Sequence, residues 1–451
     1  MVVLLSPLPL GANRPWSWSL LSLLVGLLSI LWSLSVFKGG DKVKVALKPL
    51  KSLADIILVF IGVLCWGVYQ AIFPATASQF HPLWTLTNTI LNTEITPLIS
   101  LTSADSITSL MRMLSYALVF FLSFYYCQAR EKAKSVFLAL MSAGFVYSLY
   151  GLFIYFGKYG LVLWFNNPGS LSTVSSTFIN KNHFATFAGL TLICTLALLT
   201  EGINISASYN SGGNLGWQRF FENLIIRAWF PALVFMIIGT ALILSNSRGG
   251  FFSSLLGVFV LLTALHLNQQ TRNYYVLWLT AIFVILSSLI FNLSGDSLLT
   301  RLDAQGLTDD IRKTVFKLTW SAILTNPWLG FGLGSFEEVF PLYKNHDFPS
   351  TLTYPFVQDY AHNTYLEVLF ELGIPAGLAL FYCFFRLAWI CFKGLLVRKR
   401  DWIYPATGLS ATALIAAHAS VDFSMQIPAI PYTYLLLMGA ACGQSFSSRL
   451  S

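Results

Sequence analysis

Four polar clusters in this chain hold residue types that can do chemistry. His362 lies in Asp359-Tyr-Ala-His-Asn-Thr-Tyr-Leu-Glu. An imidazole takes up a proton near neutral pH and can act as a general base. A His at a helix start also reads as a simple cap, but this one borders a long polar loop, which favours the chemical role. Glu367 and Asp359 are the carboxylates that would orient it. Arg248 lies in Leu244-Ser-Asn-Ser-Arg-Gly-Gly. A guanidinium matches phosphate oxygens with two parallel hydrogen bonds, and the two glycines let a ligand or another backbone come close. Its competing role is an interface Arg that snorkels to water.

The third cluster is Asn180, Lys181, Asn182 and His183, just before an apolar segment. Amide donors and one cation at a helix N-terminus suit an anion such as pyrophosphate or the polar groups of a glycan. A capped, solvated turn has the same composition. The fourth is His418 with Asp422, spaced i,i+4 and so on one helix face. An ionisable pair at the end of a membrane span either handles substrate or locks helices together. Asp55 and His266, at the opposite ends of spans, read as ordinary interface residues.

These clusters must be positioned by a membrane-embedded scaffold. Hydrophobic residues make up 56% of the 451 and charged residues only 10%, with mean hydropathy +0.68. Soluble chains carry about 25% charged residues, so a single water-soluble core cannot account for this chain. Spans are expected near 17–36, 53–73, 107–127, 135–156, 183–199, 226–245, 250–267, 274–291, 375–396, 403–421 and 427–445. The spans are too long and too uniformly apolar for barrel strands, which predicts an all-α integral membrane protein, a multispanning bundle of 11–12 helices. The six cysteines fall in or beside apolar segments and read as small hydrophobes, neither disulfides nor metal ligands. No cleavable leader is evident before Arg14. The net charge of +8 follows from topology, and no nucleic-acid motif accompanies it.

Lys and Arg set the orientation. Short loops and span ends on one side hold seventeen, including Lys38, Lys51, Arg130, Arg219, Arg272, Arg398 and Arg449; those on the other hold five, Arg14, Arg112, Lys158, Lys181 and Arg248. The sparse side is external and carries all four clusters. This puts the N-terminus outside and the C-terminus inside. Met1–Leu10 is half a span, and reads as a helix remnant, a re-entrant piece or an interfacial segment.

Three regions follow: a transmembrane bundle at 1–291, an external loop domain with short helices at 292–374, and C-terminal transmembrane helices at 375–451. Within the loop, Thr308–Trp320 predicts an amphipathic helix, capped by Thr308 or Asp309, which stops at Asn326-Pro327. Gly330-Phe-Gly-Leu-Gly-Ser-Phe has a phosphate-loop look, but no strand precedes it, so a tight turn against the membrane is expected. The 74–106 loop predicts irregular structure with one short helix, and Asn210-Ser-Gly-Gly-Asn a flexible connector.

Taken together and in order, Pro7-Leu-Pro-Leu-Gly with Arg14-Pro-Trp, Phe178–Ala185, Ser247-Arg-Gly-Gly, Asn326–Phe336, His362–Glu367 with Glu371-Leu-Gly-Ile-Pro-Ala-Gly, and His418–Pro428 resemble the bacterial O-antigen ligase and O-antigen polymerase superfamily. The resemblance implies an inner-membrane, GT-C-like glycosyltransferase with its active site at the periplasmic face. It would move a glycan from undecaprenyl pyrophosphate to a glycan or lipid A core acceptor, inverting the anomeric carbon without metal or cofactor. It assigns catalytic roles to Arg248 and His362, and a second phosphate-binding cation to Lys181. Asn180, Asn182, His183, His418 and Asp422 are the accompanying substrate-binding candidates. A polymerase would use the same chemistry with a different acceptor. From another class, a small-anion transporter for bicarbonate competes, although transport sites lie at the midplane and these clusters do not.

Overall fold

The computed structural model describes residues 1–38, 48–207, 228–267, 299–345 and 359–446. It is an all-α multispanning bundle. The long apolar helices are α2 (Pro15–Lys38), α3 (Ala54–Ile72), α5 (Ser103–Tyr126), α6 (Arg130–Gly157), α7 (Lys181–Ala207), α8 (Trp229–Leu244), α9 (Arg248–Leu267), α13 (Ile374–Val397), α14 (Ile403–Ala419) and α15 (Ala429–Phe446). They coincide with ten of the expected spans; 274–291 and the connector at Asn210 lie outside the described residues. Seven of these helices are long and apolar enough to cross a membrane. Helices arise because nothing else pairs every backbone group inside hydrocarbon.

Helix α7 sits at the centre. Its most apolar window is 94% buried, against 17% for α2 at the rim. It packs on α6, α8, α9 and α14. Its polar residues are compatible with that burial because Thr186, Thr191 and Thr195 donate to the carbonyls of Asn182, Phe187 and Thr191. Small residues let the helices close: a Cβ at Gly189 would meet Ser254 at 2.1 Å, and one at Gly257 would meet Ile193 at 2.5 Å. The charged ties lie at the end away from the long loop, where Arg130 pairs with Glu201 and Asp401 and Arg386 with Asp55.

At the loop end a second apolar cluster forms. Helix α10 (Leu299–Thr325) buries Val315, Leu318 and Ile323 against Phe331, Phe336, Phe340 and Phe370. The helix begins well before Thr308, so Thr308 and Asp309 lie within it and do not cap it. It ends at the expected Asn326-Pro327. Gly330, Gly332 and Gly334 all have positive φ, and a Cβ at Gly330 would lie 2.4 Å from the Glu371 carbonyl oxygen. The string is therefore a tight turn pressed on α12 (Thr364–Leu372), whose Phe370 and Glu371 carbonyls accept from the Phe331 and Gly332 amides. Short helices α4 (Leu83–Leu91) and α11 (Phe336–Val339) complete this end, with a two-strand hairpin at 161–166.

The opening residues form α1 (Val2–Leu5) and one 3-10 turn at Leu10–Ala12. Ser6, Leu10, Gly11 and Ala12 are buried, and Gly11 packs so closely that a Cβ would meet Phe178 at 2.7 Å. The segment packs into the loop end of the bundle.

Candidate functional site

His362 does not open α12; it precedes the helix in a left-handed conformation, φ +53°. Asn363 is the cap, its Oδ1 accepting from the Leu366 amide at 3.1 Å. A left-handed non-glycine residue costs energy that surrounding contacts must offset. Three ties do so. The Ala361 amide donates to Glu367 Oε2 at 2.8 Å, Asn363 Nδ2 donates to the Ser420 carbonyl at 3.0 Å, and Thr364 Oγ1 lies 3.2 Å from the Asp422 carbonyl. The imidazole is left 25% exposed, facing the turn that follows α14.

That turn supplies Asp422. Its side chain is 2% exposed, and Oδ1 lies 3.7 Å from His362 Nδ1 while Oδ2 lies 4.0 Å from His418 Nε2. Both separations exceed a hydrogen bond. The i,i+4 pair at 418 and 422 therefore shares a face, as its spacing implies, but is not closed, because Asp422 Oδ1 accepts from the Phe423 amide at 2.8 Å and the carboxylate is shared between two imidazoles. Asp359, expected to orient His362, is exposed; the imidazole faces Asp422 instead.

His418 is itself buried. Its Nδ1 lies 3.1 Å from both Thr186 Oγ1 and Ser424 Oγ. Thr186 already donates its proton to the Asn182 carbonyl. Accepting from Ser424 at Nδ1 leaves the ring proton on Nε2, facing the carboxylate; the other tautomer would oppose lone pairs to an anion. The Phe423 ring separates the imidazoles: His183 and His362 both meet it edge-on at 4.7 Å, and Tyr360 stacks on it at 4.2 Å. Among the described residues no set of His, Cys, Asp or Glu side chains is arranged to hold a metal ion.

The other two clusters join the same end. Asn182 Oδ1 accepts from Ser247 Oγ at 2.8 Å, and Ser247 Oγ accepts from the Gly250 amide at 3.2 Å. The N-termini of α7 and α9 are thus bonded to each other. A Cβ at Gly249 would lie 3.4 Å from His418 Nε2 and 3.1 Å from Val421. Lys181 opens α7 and Arg248, exposed, opens α9. The positive ends of two long helices, with Lys181 and Arg248 at their first positions, are therefore adjacent. Asn180 Oδ1 caps this start by accepting from the Asn182 amide at 2.8 Å.

Residues 232–381 match the family model for O-antigen ligase. Over that stretch the chain is similar to O-antigen ligases. The ligase-family segment is about a third of the chain and includes Arg248 and His362, whereas Lys181, His418 and Asp422 lie outside it. Comparison with curated proteins gives no match. The family match supports a ligase- or polymerase-type glycosyl-transfer role, with a lipid-linked glycan and an acceptor as substrates, in a multi-pass membrane protein.

The electrostatics of the candidate site are set by burial and by these neighbours. Burial raises the Asp422 pKa, yet the facing His362 imidazole, the neighbouring His183 and His418 rings and the Phe423 amide outweigh it and hold the carboxyl below its ordinary range. Asp422 is therefore ionised and can stabilise a protonated imidazole. Glu367 and Glu371 go the other way. Burial pushes both up, and for Glu367 the neighbouring Glu371 adds to it, although Arg112 on α5 draws both down.

Several contributors carried little signal in the sequence. Thr186, Phe423, Ser424 and Tyr360 are ordinary residues for an apolar bundle. Thr186 lies four residues after Asn182, a face-sharing interval that is visible only once Asn182 is taken as functional. Arg112 did carry a signal, as a cation within a span. Its Nη2 donates to Ser109 at 2.8 Å and its guanidinium lies 4.9 Å from the Trp18 ring.

Proposed function

We propose that this chain transfers a glycan from undecaprenyl pyrophosphate to the lipid A core at the periplasmic face of the inner membrane. No ATP or nucleotide sugar is at hand there, so the donor must carry the energy, and a lipid pyrophosphate does. The acceptor hydroxyl oxygen forms a bond to the anomeric carbon from the side opposite the leaving group. The bond from that carbon to the phosphate oxygen breaks, its electron pair leaves with undecaprenyl pyrophosphate, and the configuration inverts.

Arg248 and Lys181, at the paired starts of α9 and α7, would hold the pyrophosphate and stabilise the charge that grows on it. Asn180, Asn182 and His183 line the same helix start, where amide groups would meet pyrophosphate or glycan oxygens. This charge stabilisation is provided by the chain's own cations and helix ends, a metal-independent route. His362 would take the hydroxyl proton, general-base help worth about 10²–10⁴ in rate. Asp422, backed by His418, would stabilise the imidazolium. The 292–374 segment would cover the reacting groups.

One observation carries the reading: Asp422 lies between His362 and His418, and Gly249, next to Arg248, packs on that same His418. The test is transfer in nanodiscs from an undecaprenyl-pyrophosphate oligosaccharide to purified lipid A core. Arg248→Ala and His362→Ala should each lose transfer at least a hundredfold while remaining folded; near-normal transfer by either removes that residue from the mechanism. A gene deletion separates the acceptors. Bare core with free lipid-linked polymer marks a ligase, and loss of ladder length marks a polymerase.

A further inference from the structure

Glu367 is buried, carries no role in the transfer step above, and touches neither His362 nor Asp422 through its side chain. Its Oε2 accepts from the amide of Ala361, the residue before His362, at 2.8 Å. Gln426, on the 3-10 turn between α14 and α15, accepts from Thr364 Oγ1 at 3.1 Å. The Ala361–Glu367 bond fastens the chain on the N-terminal side of His362 to α12, and the Thr364–Gln426 bond ties α12 to the turn that follows Asp422. His362 sits between two fixed points, Ala361 and the Asn363 cap, in a backbone conformation that an imidazole-bearing residue does not adopt by preference.

We propose that Glu367 is the positioning residue that holds His362 in its left-handed conformation, and so sets the imidazole against Asp422 in register for proton transfer. This rests on the reading of His362 as the base. The argument is geometric. The Ala361 N–H precedes His362 by one residue and Glu367, in the first turn of α12, holds it from the other side, so rotating His362 out of φ +53° would require that bond to break. A carboxyl oxygen accepts the bond in either protonation state, so an amide oxygen at the same place can replace it. Glu371 cannot substitute, because its carboxyl faces the glycine turn at Gly334 and Phe336 instead.

The experiment compares Glu367→Ala, Glu367→Gln and His362→Ala in nanodiscs, using the same lipid-linked oligosaccharide and lipid A core. The readouts are kcat, donor KM and thermal midpoint. A displaced base costs rate rather than binding, so Glu367→Ala should lose roughly ten- to hundredfold in kcat with donor KM within about twofold. Glu367→Gln should regain most of that loss. If the Ala variant unfolds, Glu367→Gln together with Glu367→Met, which fills the space but cannot accept from the Ala361 amide, decides: rate near wild type for Gln and a fall in kcat alone for Met support the role. Full activity in a folded Ala variant, or a Gln variant as impaired as Ala, overturns it. An active His362→Ala would instead overturn the reading of the base itself, so the two failures are distinguishable.

Discussion

Asp422 Oδ1 lies 3.7 Å from His362 Nδ1, across the junction between the ligase-family segment and the C-terminal helices. The contact joins two parts of the chain that are distant in sequence, and it gives the exposed imidazole a buried, ionised partner. The chemical consequence is that a proton gained by His362 finds a countercharge already in place.

Asp422→Asn keeps shape and the bond from the Phe423 amide but removes that charge. Glycan transfer should fall by about 10²–10⁴, with donor binding little changed. Single-turnover rates and donor titration in nanodiscs measure the two separately. Unchanged turnover would mean that the carboxylate is only a helix lock.

Arg248→Lys retains the charge but not the planar fork. Donor KM should rise by about tenfold or more, with Arg248→Ala worse still. Equal kinetics for Arg and Lys would show that a point charge suffices.

Gly250 has no space for a side chain: a Cβ would sit 2.4 Å from that of Ala185. Gly250→Ala must separate α9 from α7, which costs about 1–3 kcal/mol, and it moves Arg248 away from Lys181. Both thermal stability and transfer should drop. Detergent-resistant midpoints equal to wild type would contradict the packing described.

The Glu371 carboxyl has a raised pKa in the folded state, from burial. In the unfolded chain it ionises near the ordinary value of about 4.3. Between that value and its higher folded pKa the unfolded state binds fewer protons, so stability is full at acid pH and declines as pH rises through this window. Glu371→Gln should flatten the decline. Unfolding midpoints taken from pH 4 to 8 give the answer, and a variant with the wild-type slope would assign the dependence elsewhere.

Much of this was legible in the residues. Uniform apolar runs fixed the helical class because a bilayer leaves the backbone no other way to pair its groups. Arg248 and Lys181 stood out as cations on the sparsely charged side, His362 as an imidazole bordering the long polar loop, and Asp422 as an ionisable group at a span end. The glycines at 330–334 were readable as a turn, since no strand precedes them. The start of α10 was misread at Thr308, where a good cap lies inside a helix already under way: local capping preference is a matter of about 1 kcal/mol and yields to tertiary packing.

What the sequence determined by itself was the list of candidate groups and the end of the bundle they occupy, because hydropathy and charge act on each segment separately. The folded chain alone decided that Asp422 faces the His362 and His418 imidazoles, that Phe423 lies between His183 and His362, and that Glu367 holds the Ala361 amide. Those outcomes depend on distances between segments that no local pattern encodes. They are set when α7, α9, α12 and α14 pack around one point, and close packing permits few arrangements.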